Sequence, residues 1–289
     1  MSGTKLMPLD SYPAERVTLD LALSSWLQSR QFLGYSNKTK KLTLGMCGYI
    51  RTHWGDWPVQ DFRVSDFAFI RDENQHRATL AVNLISMLRS VFTHAMEFGV
   101  IDWNPARGVV CYRTSTPIKM WDYETFDYVQ RHADPLLAVP LLWMRWTCLR
   151  VGDALSLQKH HIKGDWLEVT ESKTHNTLFI PLSKPLRQDI AKRKNGLEDH
   201  DWLFVNSAGT GWFQSNLLGK LKRFLVKHNL PDYSFHGLRK LGITHLVNNG
   251  ASHAEISAIT GQSQRTVEYY ASGYDKLKLA RQAMEKIDV

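Results

Sequence analysis

Cysteine is scarce in this chain, long apolar runs are missing, and acidic residues are outnumbered. The three cysteines, Cys47, Cys111 and Cys148, are scattered over 289 residues and form no Cys-x-x-Cys spacing. That excludes a disulfide scaffold and a cysteine-based zinc site, and predicts reduced core thiols in a cytoplasmic protein. Neither an N-terminal apolar signal segment nor a run long enough to span a bilayer is found, so a soluble protein without a membrane partner is expected. Twelve histidines are present, yet none pairs with cysteines or carboxylates at ligand spacing. His160 and His161 are adjacent and cannot both face one side of a strand, which suits loop histidines. No metal and no cofactor is expected.

What the chain does have is positive charge: 36 Lys and Arg against 28 Asp and Glu, a formal net charge of +8. The excess is spread, with 13 basic against 10 acidic residues up to Arg113 and 23 against 18 after it. A polyanionic partner fits such a balance, and a clamp around it would need both halves basic. The length suits two domains, and 43% hydrophobic residues suffice to give each a core.

Residues 1–14 carry Gly3, Pro8 and Pro13 without periodicity and predict a loose tail. From Leu19 the apolar residues Leu21, Leu23, Trp26, Leu27 and Phe32 share a broad helical face that ends near Gly34. A second helix is predicted from about Ser36 to His53. Its first turns hold Lys38, Lys40 and Lys41, cations placed against the helix dipole, which suits either a phosphate contact or a solvated charged face. Pro58 and Val64-Ser65-Asp66 introduce a third helix, and Gln75 to Phe98 predicts a long fourth one, closed by Gly99. This sets a helical domain over 15–110 and a linker over 111–118.

The second domain, 119–289, opens with a helix from Tyr123 to His132 and a very apolar one from Leu136 to Cys148 that must be buried on nearly all sides. Trp166–Thr170 and Thr177–Pro181 alternate as strands do, which puts Lys173 beside a hairpin tip. A basic helix over 184–196, a short buried segment at Asp201–Val205, and a helix from Asn216 to His228 carrying Lys220, Lys222 and Arg223 follow. The fold class is mainly α with a small β-sheet.

Chemistry concentrates at the C-terminal end. In Phe235-His-Gly-Leu-Arg-Lys-Leu-Gly-Ile-Thr-His245, His236 and Arg239 lie three apart and so share a helix face. An arginine fork matches phosphate oxygens, and an imidazole donates or accepts a proton near neutral pH. Some thirty residues on, Val267-Glu-Tyr-Tyr270-Ala271 offers an oxygen nucleophile.

These motifs resemble the tyrosine recombinase (phage integrase) family. The family's first arginine sits in a segment of the type Thr-Gly-Leu-Arg-x-x-Glu-Ala-Leu, and this chain has Thr147-Cys148-Leu149-Arg150-Val151-Gly152-Asp153-Ala154-Leu155. Its lysine lies in a β-hairpin between the two arginine motifs, where Glu171-Ser172-Lys173-Thr174 fits. Four motifs in order over about 120 residues make a specific signal. The resemblance is plain from roughly Tyr112 onward and weaker before it, where the helices and "x-x-Asn-Pro105" are similar to a core-binding domain.

The resemblance implies a site-specific recombinase that cuts and rejoins DNA through a 3′-phosphotyrosyl intermediate without metal. Arg150 and Arg239 would hold the non-bridging oxygens and Lys173 would protonate the leaving 5′ oxygen. His236 would assist proton removal or bind an oxygen, and Asp153 would orient Arg150 or cap the local backbone. Tyr270 would be the nucleophile, with Tyr269 as a packing neighbour. Gln262 stands where the family usually has histidine; it can hydrogen-bond a phosphate oxygen but cannot shuttle a proton. The implied partners are double-stranded DNA sites and three further copies of the chain in a tetramer, with an accessory DNA-bending protein as an optional addition. Lys38, Lys40, Lys41, Lys220, Lys222 and Arg223 are candidate DNA contacts. Two other outcomes stay open: a catalytically weak or inactive DNA-binding relative, for which Gln262 speaks, and a type IB topoisomerase-like relaxing activity.

Overall fold

The computed structural model describes residues 17–112, 118–193, 201–271 and 284, with the backbone alone at 269–271. The chain divides into two compact units, Met1–Thr116 and Pro117–Val289.

The first unit is helical. Helix α1 (Leu19–Trp26) starts where the Thr18 hydroxyl accepts from the Leu21 amide at 3.3 Å, and it buries Leu19, Ala22, Leu23 and Trp26, one face of an α-helix. The predicted continuation to Gly34 is broken: the Ser29 hydroxyl accepts from the Phe32 amide and begins a separate short helix, α2 (Arg30–Leu33). A serine that bonds nearby backbone competes with helix continuation. Helix α3 (Asn37–Trp54) is capped by Ser36 and buries Thr43, Met46, Cys47 and Ile50. Lys38 and Lys41 are exposed in its first turns, and Lys40 is half-buried. Helix α4 spans Val64–Glu73, and a 3-10 turn at Gln75–Arg77 precedes α5 (Ala78–Glu97), so the long helix begins three residues later than its pattern predicts. Leu84, Leu88, Val91 and Phe92 of α5 meet Trp26, Ile50 and Phe67 in one core.

In the second unit, α6 (Tyr123–His132) and α7 (Pro135–Thr147) lead to the short α8 (Val151–Leu155). A three-stranded antiparallel sheet of order β1-β2-β3 comes next: β1 (Ile162–Lys163), β2 (Trp166–Thr170) and β3 (Thr177–Pro181). Strands β2 and β3 pair in register from Trp166 opposite Pro181 to Thr170 opposite Thr177, burying Leu167, Val169, Leu178 and Ile180 on one face. Helices α9 (Lys184–Lys192), α10 (Gln214–Lys227), α11 (Phe235–Asn248), α12 (His253–Thr260) and α13 (Gln264–Ala271) complete it. The segment at Asp201–Val205 is irregular, held by single bridges from Gln158 to Trp202 and from Val205 to Gly211.

The spine of this unit is the contact of α7 with α11. A β-carbon added at Gly242 would stand 2.2 Å from the Arg145 carbonyl oxygen and 2.7 Å from Cys148 Sγ, so only glycine lets the helices approach this closely. At the start of α11, Gly237 meets the Lys119 carbonyl in the same way, at 2.1 Å. The Trp121 indole donates to the Ser234 carbonyl at 2.9 Å, and the Ser234 hydroxyl caps the helix by accepting from the Gly237 amide. Helix α11 is therefore pinned at its first turn and at its middle.

Candidate active site

Two arginines are brought to the site by different devices. Helix α7 ends at Cys148, whose left-handed conformation (φ 53°) turns the chain, so that Arg150 becomes the N-cap residue of α8 rather than the end of the apolar helix. A non-glycine residue in that region costs of order 1 kcal/mol or more. Here the Cys148 side chain fills the space that Gly242 leaves, and burial pushes its thiol up to about 12 against the opposing pull of the Arg239 and Arg145 charges. Arg239 stands on α11, only 2% exposed, with Nη2 donating to the Thr260 carbonyl at the end of α12 over 2.8 Å.

His236 is the exposed residue of an otherwise buried first turn of α11, three residues before Arg239. Desolvation by the protein around its ring, then the Arg239 charge, then the Arg150 charge hold its imidazole below the usual histidine range. Both arginines thus act on the same ring from separate elements. A neutral imidazole keeps one acceptor nitrogen, the form needed to receive a proton.

The turn between β2 and β3 holds Ser172, Lys173 and Thr174, with Lys173 exposed. Asp153 on α8 is buried and does not meet Arg150; its Oδ1 accepts from the Ser172 amide at 2.9 Å, so it caps the backbone beside Lys173. The guanidinium of Arg150 pairs instead with Glu171, a wholly buried carboxylate that also accepts from the Thr174 hydroxyl. Glu171 and Thr260 are contributions that pattern matching missed; the sequence signal was a lone carboxylate in the strand-to-turn run Val-Thr-Glu-Ser-Lys-Thr.

Gln262 follows Gly261, the left-handed cap (φ 65°) of α12, and its amide donates to the Thr260 hydroxyl at 3.3 Å. Tyr269 and Tyr270 lie on α13, but their side chains lie outside the described residues, as do Tyr274, the third tyrosine of this segment, and Leu277, Ala280 and Ile287, which with Met284 recur at helical spacing as an apolar stripe. On α10, Lys220 pairs with Asp134 at 2.8 Å and Lys222 with Asp232, while Arg223 is exposed. Lys38, Lys40 and Lys41 belong to the first unit. Among the described residues no three His, Cys, Asp or Glu side chains converge on a metal position, and no helix is long and apolar enough to cross a membrane.

The integrase of Mycobacterium phage L5 is 22% identical over 229 residues, covering 70% of this chain and 61% of that protein. The tyrosine recombinase XerD of Chlamydia pneumoniae is 26% identical over 173 residues, covering 50% of this chain and 56% of that one. The chain thus spans 61% and 56% of the lengths of these relatives. A lambda integrase tetramer bound to a Holliday junction has the same fold at a TM-score of 0.76 and 20% identity, over 91% of this chain and 83% of that one. Residues 120–276, which carry both arginines, the hairpin lysine and Tyr270, match the phage integrase family, and this chain belongs to that family of tyrosine recombinases.

Proposed function

We propose that this chain is a site-specific recombinase that breaks and rejoins double-stranded DNA through a 3′-phosphotyrosyl intermediate, with no metal in the chemical step. The carrying observation is that Arg239, one turn from His236 on α11, and Arg150, held by Glu171 at the N-cap of α8, stand on separate elements whose charges both reach the His236 ring. Two guanidinium groups and an imidazole in mutual electrostatic reach form a preorganised anion site suited to a phosphate whose charge grows in the transition state.

In this reading Arg150 and Arg239 hold the non-bridging oxygens. The Tyr270 oxygen attacks phosphorus as its proton passes to His236; the new O–P bond forms while the bond to the 5′ oxygen breaks, and Lys173 protonates that oxygen. The phosphate bond is conserved in the adduct, so the reverse attack by a 5′ hydroxyl reseals the strand without an energy source. Gln262 hydrogen-bonds a phosphate oxygen. Residues 15–110 serve as the core-type DNA-binding domain, 111–118 as linker and 119–289 as catalytic domain. Lys38, Lys40, Lys41 and Arg223 contact backbone phosphates, whereas Lys220 and Lys222 must give up Asp134 and Asp232 to do so. The chain works as a tetramer on paired sites, with an accessory DNA-bending protein where the site needs one, and its place is with DNA in the cytoplasm.

The test is covalent trapping on a nicked duplex that carries the attachment site. Tyr270→Phe is expected to keep DNA binding and to abolish the adduct, and wild-type cleavage is expected to survive EDTA. An adduct mapped to Tyr269 or Tyr274 overturns the assignment of the nucleophile, and a strict need for Mg²⁺ in cleavage overturns the mechanism.

A further inference from the structure

We propose that Glu171 is the positioning residue of this site, a buried carboxylate that fixes Arg150 and ties it to the two turns on either side. The inference rests on the recombinase reading and concerns a residue to which that mechanism assigns no role.

Three contacts meet on one carboxyl group. Oε1 takes the Arg150 guanidinium at Nη1. Oε2 takes the Thr174 hydroxyl, which lies one residue beyond Lys173 in the hairpin turn. The third neighbour is Gly261, where a β-carbon would stand 2.6 Å from Oε2 and 2.9 Å from the carboxyl carbon. The glycine is needed twice over, for its left-handed φ of 65° and for the room it leaves the carboxylate. Gly261 ends α12 next to Thr260, whose carbonyl accepts from Arg239, and leads through Gln262 into α13. One acid thus joins Arg150, the turn that bears Lys173, and the turn between Arg239's partner and the helix of Tyr270.

A purely structural ion pair is the competing reading, and the burial pattern speaks against it. Glu171 is completely buried whereas the Arg150 side chain keeps 30% exposure, so the carboxylate takes one edge of a guanidinium that has further donors for a ligand. A fixed planar fork is what bidentate phosphate recognition requires, and a long side chain left loose loses that orientation. The carboxylate also offsets part of the positive charge that Arg150 and Arg239 bring to the surroundings of His236 before a phosphate arrives.

The decisive experiment compares single-turnover cleavage and single-site gel shift for wild type, Glu171→Ala and Glu171→Gln. Glutamine keeps the length and polar ends that reach Arg150 and Thr174, so it is expected to cleave within about tenfold of wild type. Alanine is expected to slow the saturated rate by roughly 100-fold, the size seen when one preorganised donor is lost. The protein concentration for half-maximal binding should move less than about threefold, because phosphate contacts elsewhere carry most affinity. Should the alanine variant not fold, Glu171→Asp, one methylene short of Arg150, takes its place. Cleavage by the alanine or aspartate variant at the wild-type rate, a glutamine variant as slow as alanine, or equal losses of binding and rate each overturn the proposal. If wild type itself forms no adduct, the recombinase reading falls, and amide hydrogen exchange decides about Glu171: Glu171→Ala should raise exchange in residues 171–176 and 260–262 together, and an unchanged rate in either turn defeats the coupling.

Discussion

His236 shows how much of a site lies in surroundings that spacing cannot report. Its distance from Arg239 along the chain predicts a shared face, but the depressed imidazole also depends on Arg150, which arrives from another element 86 residues earlier by position. Three more histidines are held down in the same direction: His94 and His161 chiefly by burial, His245 by burial and then by Arg145. The sign for stability follows from proton counting. The unfolded chain protonates these rings near pH 6.5, the folded chain only at lower pH, so between the two the unfolded state binds more protons. Stability is whole above the unfolded value and is lost as pH falls below about 6.5. The midpoint of thermal unfolding is therefore expected to drop between pH 7.5 and pH 5.5, a window in which ordinary carboxylates stay ionised. A midpoint that rises or holds steady on acidification would contradict the assignment of four neutral histidines, and differential scanning calorimetry at fixed ionic strength reads it.

At the scale of elements, the contact of α7 with α11 decides where both arginines stand. Arg150 follows the Cys148 turn at the end of α7, Arg239 stands on α11, and Gly242 sets how closely the two helices pass. Gly242→Ala would push a methyl group into the Arg145 backbone, which cannot step aside as a flexible side chain would. Overpacking a core costs about 1–3 kcal/mol, and a backbone clash belongs at the upper end. For a unit of this size that lowers the unfolding midpoint by roughly 6–12 °C. Cleavage should fall more steeply than DNA binding, because the arginines move apart while surface cations stay; a variant with wild-type melting and cleavage would show that the helices tolerate the separation. Elements with strong periodicity were legible without coordinates: Tyr123–His132 and the strands Trp166–Thr170 and Thr177–Pro181 have the bounds their patterns predict. The misses have local causes. A serine cap at Ser29 outweighed continuous apolar periodicity, and β1 is two residues long, too short for any alternation. At the site, the residues of the two arginine motifs were legible because their types are chemically special, whereas Glu171 stands in the sequence only as the first residue of the run that holds Lys173, with nothing there to mark a role of its own. Its role exists only because tertiary packing brings the hairpin turn against α12.

In the recombinase reading the whole molecule poses the question of assembly, since one chain cutting one strand would not exchange partners. Residues 274–289 follow the segment that carries Tyr270, and Leu277, Ala280, Met284 and Ile287 recur at helical spacing with lysines and an arginine between them. A helix this short is marginal in water unless its apolar stripe docks on something. Docking on its own unit would make the segment part of one core; docking on a neighbouring chain would make it the link that couples active sites. Gly273, immediately before, is permissive of a sharp exit and favours the second. The chain is then expected to be monomeric or weakly associated when free and tetrameric on paired sites. Removing residues 276–289 tests this with two readouts that the alternatives move differently. Loss of a docked core segment should weaken single-site binding and lower the unfolding midpoint. Loss of an exchanged helix should leave both nearly unchanged and abolish the slow-migrating synaptic complex and the recombinant product. We expect the second pattern; a truncated chain that recombines like wild type would remove the segment from the assembly altogether.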